Sequence, residues 1–361
     1  MKKDNYLLCL DSLRGLAAVI VMLYHFSSTA SSLLTDNFIV MNGRRFVDFF
    51  FVLSGFIISI KYYDIIIDFK SLIEFQVRRF YRLYPLHFIT LFVFLLIELS
   101  KFYFEKKTGI IANNPSFSNN NFFAFINNIF LTQSFFVQHT TFNDPSWSIS
   151  LEFYIYLLFA LLLIFLKKKI RILLFVILII IFGFIIFNRG TDEAMDLAVG
   201  LFAFIRAFYC FLIGALAYYF YKNCRSFFFL FSPYLIFPTL IFYIYYLNYL
   251  SKLFLPLIFA VLIISLSINK ENFLSFFLTR KLFIFLGKIS YGVYMIHSLV
   301  WWFFRQFFRF ILKVPTTEVN SITILNISGF DILFYQIFAS LIVIFFSYIS
   351  FKYYESFFYK K

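Results

Sequence analysis

Long apolar runs recur along the whole chain, from LAAVIVMLYHF at residues 16–26 to ILFYQIFASLIVIFF at residues 332–346, and short polar or basic stretches separate them. A helix needs about 20 residues to cross the hydrocarbon of a bilayer, and backbone polar groups have no water to bond there, so only helices and closed barrels span it. Barrel strands would show as short alternating segments with many turns, whereas these runs are continuously apolar. The composition agrees: 62% hydrophobic, 25% aromatic and 14% charged residues, with a mean hydropathy of +0.86, lie outside the range of soluble domains. The chain reads as an all-α integral membrane protein, a bundle of about ten transmembrane helices, in which residues 1–361 form a single membrane domain with no fused soluble domain.

Spans are predicted near residues 7–28, 46–63, 83–100, 147–166, 172–188, 198–221, 227–247, 252–268, 290–312 and 330–351. With both termini cytoplasmic, the inner segments hold Lys61, Lys70, Arg78, Arg79 and Arg82, then Lys167, Lys168, Lys169 and Arg171, then Lys222 and Arg225, then Arg280, Lys281 and Lys288, and finally Lys360 and Lys361. This bias sets the orientation, with Arg44, Arg45, Lys106 and Lys107 as exceptions. The start Met1-Lys2-Lys3 imitates a signal peptide, yet no small-residue cleavage site follows, so the first run is a retained span. The net charge of +14 is spread in short groups between spans, a pattern for anionic lipid and not for nucleic acid. Cys9, Cys210 and Cys224 have neither disulfide nor metal-ligand spacing, and no metal site is indicated. Residues 101–121 read as a polar outer loop, and FFAFINNIFLTQSFF after it as a re-entrant or interfacial piece.

Ionisable groups inside spans are costly and therefore informative. In LDSLRGLAAVIVMLYHF, Arg14 and His25 are eleven positions apart, three helical turns plus roughly 20°, so they share a face about 16 Å apart, with Asp11 and Ala18 on the same stripe. Gly15, Ala17 and Ala18 suit close approach of a neighbouring helix. Snorkelling of Arg14 and His25 to opposite headgroups is the structural alternative. In FQVRRFYRLYPLHF, Arg78, Arg79 and Arg82 bring planar guanidinium groups within about one turn, a geometry suited to phosphate, although a topology anchor would look the same. Glu152 in PSWSISLEFYIYLLF needs a proton or a partner; it is either a functional carboxylate or the countercharge of a buried cation such as Arg14 or Arg206. In GKISYGVYMIHSLVWW, Tyr294 and His297 lie one turn apart, and His297 could equally be a core histidine bonded to a backbone carbonyl. His87 and His139 receive no role.

These motifs together resemble the acyltransferase 3 family of multipass bacterial membrane enzymes. The likeness is carried by LDSLRGLAAVIVMLYHF with its Arg-x10-His spacing, RRFVDFFFVLSGFII with Asp48 and Ser54-Gly55, RRFYRLYP, PSWSISLEFYIYLLF with Trp147, and GKISYGVYMIH, in the family's order over residues 10 to 297. It implies an O-acyltransferase of the bacterial cytoplasmic membrane that takes an acyl group, most often acetyl from acetyl-CoA, and delivers it to a hydroxyl of a surface or lipid-linked carbohydrate. It also implies that Arg14 and His25 are the central polar pair and that Arg78, Arg79 and Arg82 handle the CoA phosphates. Asp11, Asp48, Ser54, Trp147, Tyr294 and His297 are taken as substrate-binding, and no permanently bound cofactor is expected. The family more often has a glycine where Ser12 sits and often another small or aliphatic residue where Leu16 sits, and neither change removes a titrating group.

Chemically, a thioester donor would leave its phosphates with the inner arginines while only the pantetheine arm enters the bundle. His25 would serve as base or nucleophile, Arg14 as oxyanion or donor-binding group, and Glu152 as a third catalytic group. The rival class is a multipass carrier or flippase for a lipid-linked glycan, since charges in spans also mark transport pathways; the paired, interrupted halves usual in such proteins are missing from the sequence.

Overall fold

The computed structural model describes residues 5–111, 114–224, 232–247, 251–268, 272–319, 322–327 and 330–358. Met1, Lys2, Lys3, Arg225, the start of the span expected at 227–247, and Lys360 and Lys361 lie outside the described residues. The principal helices are α1 (Asn5–Phe26), α2 (Phe46–Tyr62), α3 (Phe69–Thr108), α4 (Phe122–Ile129), α5 (Trp147–Phe165), α6 (Lys168–Arg189), α7 (Gly200–Asn223), α8 (Pro233–Tyr245), α9 (Leu255–Ile268), α10 (Lys281–Gln306) and α11 (Phe330–Ile349). One antiparallel hairpin, β1 (Thr316–Val319) with β2 (Ile322–Leu325), pairs Thr316 with Leu325 and Val319 with Ile322. Its Leu325 N–H donates to the Thr29 carbonyl at 2.9 Å, which docks the hairpin on the end of α1.

Among the described residues seven helices, α1, α3, α5, α6, α7, α10 and α11, are long and apolar enough to cross a membrane. The protein is thus an all-α multipass membrane protein. Each of the other three expected spans holds a helix, but α2, α8 and α9 have only 17, 13 and 14 residues, so the count of about ten is supported for seven. The third span departs most from hydropathy. Expected at 83–100, the helix runs 40 residues, about 60 Å, because its ends are set by caps and not by polarity. Asp68 and Ser71 form a reciprocal capping box at its start, and Gly109 in the left-handed region (φ 70°) closes it. The basic motif RRFYRLYP therefore lies inside a continuous helix, and α10 likewise begins nine residues before the span expected at 290–312.

Polar loops are tied back onto this frame. Glu98 of α3 accepts from the Phe117 N–H at 3.0 Å and from Asn120 Nδ2 at 2.9 Å, so part of the expected outer loop folds against the helix. Residues 122–136 form α4 and the short helix Gln133–Phe136, which bonds α5 through Ser134 Oγ to the Trp147 carbonyl at 2.7 Å. Arg44 and Arg45, exceptions to the charge bias, serve an internal role: both pair with Asp196, and Arg45 is fully buried.

Two glycine-to-glycine crossings set the core. A Cβ on Gly15 would lie 2.5 Å from the Gly287 nitrogen, and one on Gly287 would lie 2.4 Å from the Asp11 carbonyl oxygen, so α1 and α10 touch backbone to backbone. The same holds for α2 and α7, where a Cβ on Gly55 would meet the Phe211 carbonyl oxygen at 2.0 Å and one on Gly214 the Val52 carbonyl oxygen at 1.9 Å. Small residues permit this contact where lipid offers no hydrophobic drive to association.

Candidate active site

A cavity of about 420 Å³ is lined by the crossed pair α1 and α10 and by α2 of the other crossing, with α3 and α5 completing the wall. Its wall follows α2 from Val47 to Lys61, a length of about 21 Å. One end is basic: Lys61, Arg79, Arg82 and Lys288 line it, with Asp11 and Arg14 of α1 alongside. Its opposite end is formed by Phe50, Ser148 and Tyr294. The volume falls in the range of small-molecule sites.

Arg14 is held by α10. Its Nε donates to Ser290 Oγ at 2.9 Å, one terminal nitrogen donates to the Gly287 carbonyl at 3.1 Å, and Asp11 lies 3.6 Å away. This fork exists because the Gly15/Gly287 crossing brings α10's backbone within reach of the next residue on α1. Across the cavity Glu152 Oε1 accepts from Ser54 Oγ at 2.7 Å and from the Tyr156 hydroxyl one turn along α5. Arg79 stacks over Tyr62 and Phe75, with its carbon 5.6 and 5.8 Å from the ring centres, and its buried Nε has no hydrogen-bond partner among the described residues. Arg78 is 100° round the helix from Arg79, is exposed and does not line the cavity.

Beyond Tyr294 the polar character continues in a second cluster. The His297 ring is 6.1 Å from that of Tyr294 and 4.9 Å from that of His25. His25 Nε2 faces Asp144 Oδ2 at 3.6 Å. Arg14 and His25 thus share the stripe that faces α10, with Ala18 buried between them, but occupy different surroundings: Arg14 lines the cavity, and His25 sits past its far end. Tyr294 closes the gap by bonding across to α5 through Ser148 Oγ at 2.8 Å and to the turn before it through the Pro145 carbonyl at 3.0 Å.

Asp48 and Trp147 stand apart from the cavity. Asp48 Oδ1 accepts from Arg206 Nε at 2.7 Å, both side chains being buried, and Trp147 lies under the Arg206 guanidinium at 5.7 Å. Arg206 is therefore neutralised by Asp48, not by Glu152. Reading the sequence missed Ser290, Tyr156 and Asp144. Tyr156 was accessible through its spacing of four from Glu152; Ser290 and Asp144 meet their partners only in the fold.

A multipass bundle with a basic-ended internal cavity and a pair of adjoining imidazoles, one buried and one partly exposed, is the class of membrane protein that these features define. A family model described as an acyltransferase domain matches residues 7–352, and the chain belongs to that family, acyltransferase 3. No curated protein and no solved structure matches it.

Proposed function

We propose that this membrane acyltransferase takes an acetyl group from acetyl-CoA at the cytoplasmic face and transfers it to a hydroxyl of an extracytoplasmic or lipid-linked carbohydrate. The observation that carries the reading is one continuous cavity, basic at one end and reaching Tyr294 beside His297 and His25 at the other. A CoA-type donor has the matching polarity: phosphates at one end, an uncharged arm, and a thioester at the tip. Arg79 and Arg82, with Lys61 and Lys288, would hold the phosphates, and the unsatisfied Arg79 Nε–H is the kind of donor a phosphate oxygen meets. The arm would pass Ser54, Glu152 and Arg14, and His25 would take the proton of the attacking hydroxyl. In this orientation the basic end, with the N-terminus of α1, faces the cytoplasm of a bacterium, and the acceptor arrives at the half-exposed Asp144 and His25.

Purified protein in detergent, incubated with acetyl-CoA, should bind it and slowly release free CoA. Protein that neither binds nor consumes the thioester overturns the reading and favours a glycan carrier. Mass spectrometry of surface glycans with and without the gene should then show a shift of one acetyl group and identify the acceptor.

A further inference from the structure

His25 and His297 are built alike. Each ring places Nδ1 on the carbonyl four residues earlier in its own helix, His25 on Val21 at 2.9 Å and His297 on Val293 at 3.0 Å. A carbonyl oxygen can only accept, so both Nδ1 atoms carry hydrogen and Nε2 is the exchangeable nitrogen in each ring. The two rings differ in access. His25 is partly exposed beside Asp144, whereas His297 is fully buried, and its Nε2 has no hydrogen-bond partner among the described residues. A core histidine needs only the Nδ1 tether; a desolvated, unpartnered Nε2 costs stability unless something is meant to meet it. Its place in the chain of rings says what. Tyr294 touches the cavity, His297 touches Tyr294, and His25 touches His297, so His297 stands between the space of the donor and the exposed imidazole.

We propose that His297 is a catalytic proton relay between His25 and the departing thiol, an assignment that rests on the acyl-transfer reading. The acceptor oxygen bonds the thioester carbonyl carbon while its proton goes to His25 Nε2, where Asp144 supplies the countercharge. The carbon–sulfur bond then breaks with its electron pair on sulfur. The proton passes from His25 Nε2 to His297 Nε2 and on to that sulfur, so both imidazoles end as they began and the products are an ester and a free thiol. Asp144 on the segment before α5, Tyr24 on α1 and Tyr294 on α10 are the other ionisable groups at the pair.

The test varies the leaving group. His297→Asn keeps an amide N–H for the Val293 carbonyl and removes only the relay nitrogen; His297→Gln is the second variant should the first not accumulate, and melting temperature certifies the fold of either. With acetyl-CoA and water as acceptor, kcat should fall on the order of 10²–10⁴-fold, the usual loss of acid–base assistance, at unchanged KM. With para-nitrophenyl thioacetate, whose thiolate departs without a proton, the fall should be under about tenfold. Equal falls with both donors would make His297 structural, and an unchanged kcat with acetyl-CoA would remove it from the reaction; either overturns the relay alone. Wild-type protein inert toward acetyl-CoA brings down the acyl-transfer reading and the relay with it.

Discussion

Two carboxylates within the bundle, buried Asp48 and partly buried Glu152, show how alike side chains acquire different duties. Asp48 faces a buried guanidinium, and removing its charge strands Arg206, so Asp48→Asn should lower unfolding stability by about 3–5 kcal/mol, seen as a lost or sharply lower melting temperature in detergent. Glu152 accepts from two hydroxyls, and an amide oxygen can keep those bonds. Glu152→Gln should therefore melt normally while turnover falls, and a collapse of its melting temperature would show that it balances a cation after all. The same contrast separates neighbours on α3: Arg79→Ala should raise the KM for acetyl-CoA with little change in kcat, because it removes binding common to ground and transition states, whereas exposed Arg78→Ala should leave it unchanged. Equal effects of the two would reduce the motif to a topology anchor. The sequence placed charges on the right helices because an ionisable residue in an apolar run is visible at once. It could not say that Asp48 serves Arg206, 158 positions away, or that Arg78 turns from the cavity, because partners are chosen by packing.

At the level of helices, close backbone contact is the device that builds the site. Arg14 reaches Gly287 and Ser290 only because Gly15 and Gly287 let α1 and α10 touch, and α2 presents Ser54 to the cavity beside Gly55, its contact with α7. Gly214→Ala would drive a methyl into the Val52 carbonyl at 1.9 Å, where backbone must move, and should prevent accumulation of folded protein. Gly183→Ala on α6 is the control: its methyl would meet the Tyr209 ring at 3.6 Å, an ordinary contact, and the variant should accumulate and melt like wild type. Comparable melting of both would mean the α2/α7 crossing can relax. The small stripe Gly15, Ala17 and Ala18 made the first crossing legible from sequence, since small residues at helical spacing are its signature. The ends of α3 were not, because hydropathy responds to Arg78, Arg79 and Arg82 while the helix responds to its caps at Asp68 and Gly109.

Across the molecule, charges outside the apolar layer tie together the segments that adjoin Lys61, a residue of the cavity's basic end. Asp64, in the turn after α2, bonds Lys168 at the start of α6 at 2.7 Å and Lys222 near the end of α7 at 2.9 Å, so one carboxylate joins three segments just beyond the Lys61 end of α2. The Lys168 hydrogen bond, then that of Lys222, holds its carboxyl below the ordinary value of 3.8. Because the folded form has the lower pKa, the stabilisation is present above about 3.8 and is lost as pH falls through the depressed value, where the folded protein also takes up the proton. Asp64→Asn should therefore melt below wild type at neutral pH, by a modest amount because all three side chains are well exposed. The gap should close as the pH is lowered past that window, since wild-type Asp64 is then neutral too. It should also shrink with added salt at neutral pH, because exposed pairs are screened. Melting curves of the two proteins across acidic pH decide it: a gap that stays constant would show that the three segments are held together by packing alone and that the charge of Asp64 has no part in joining them.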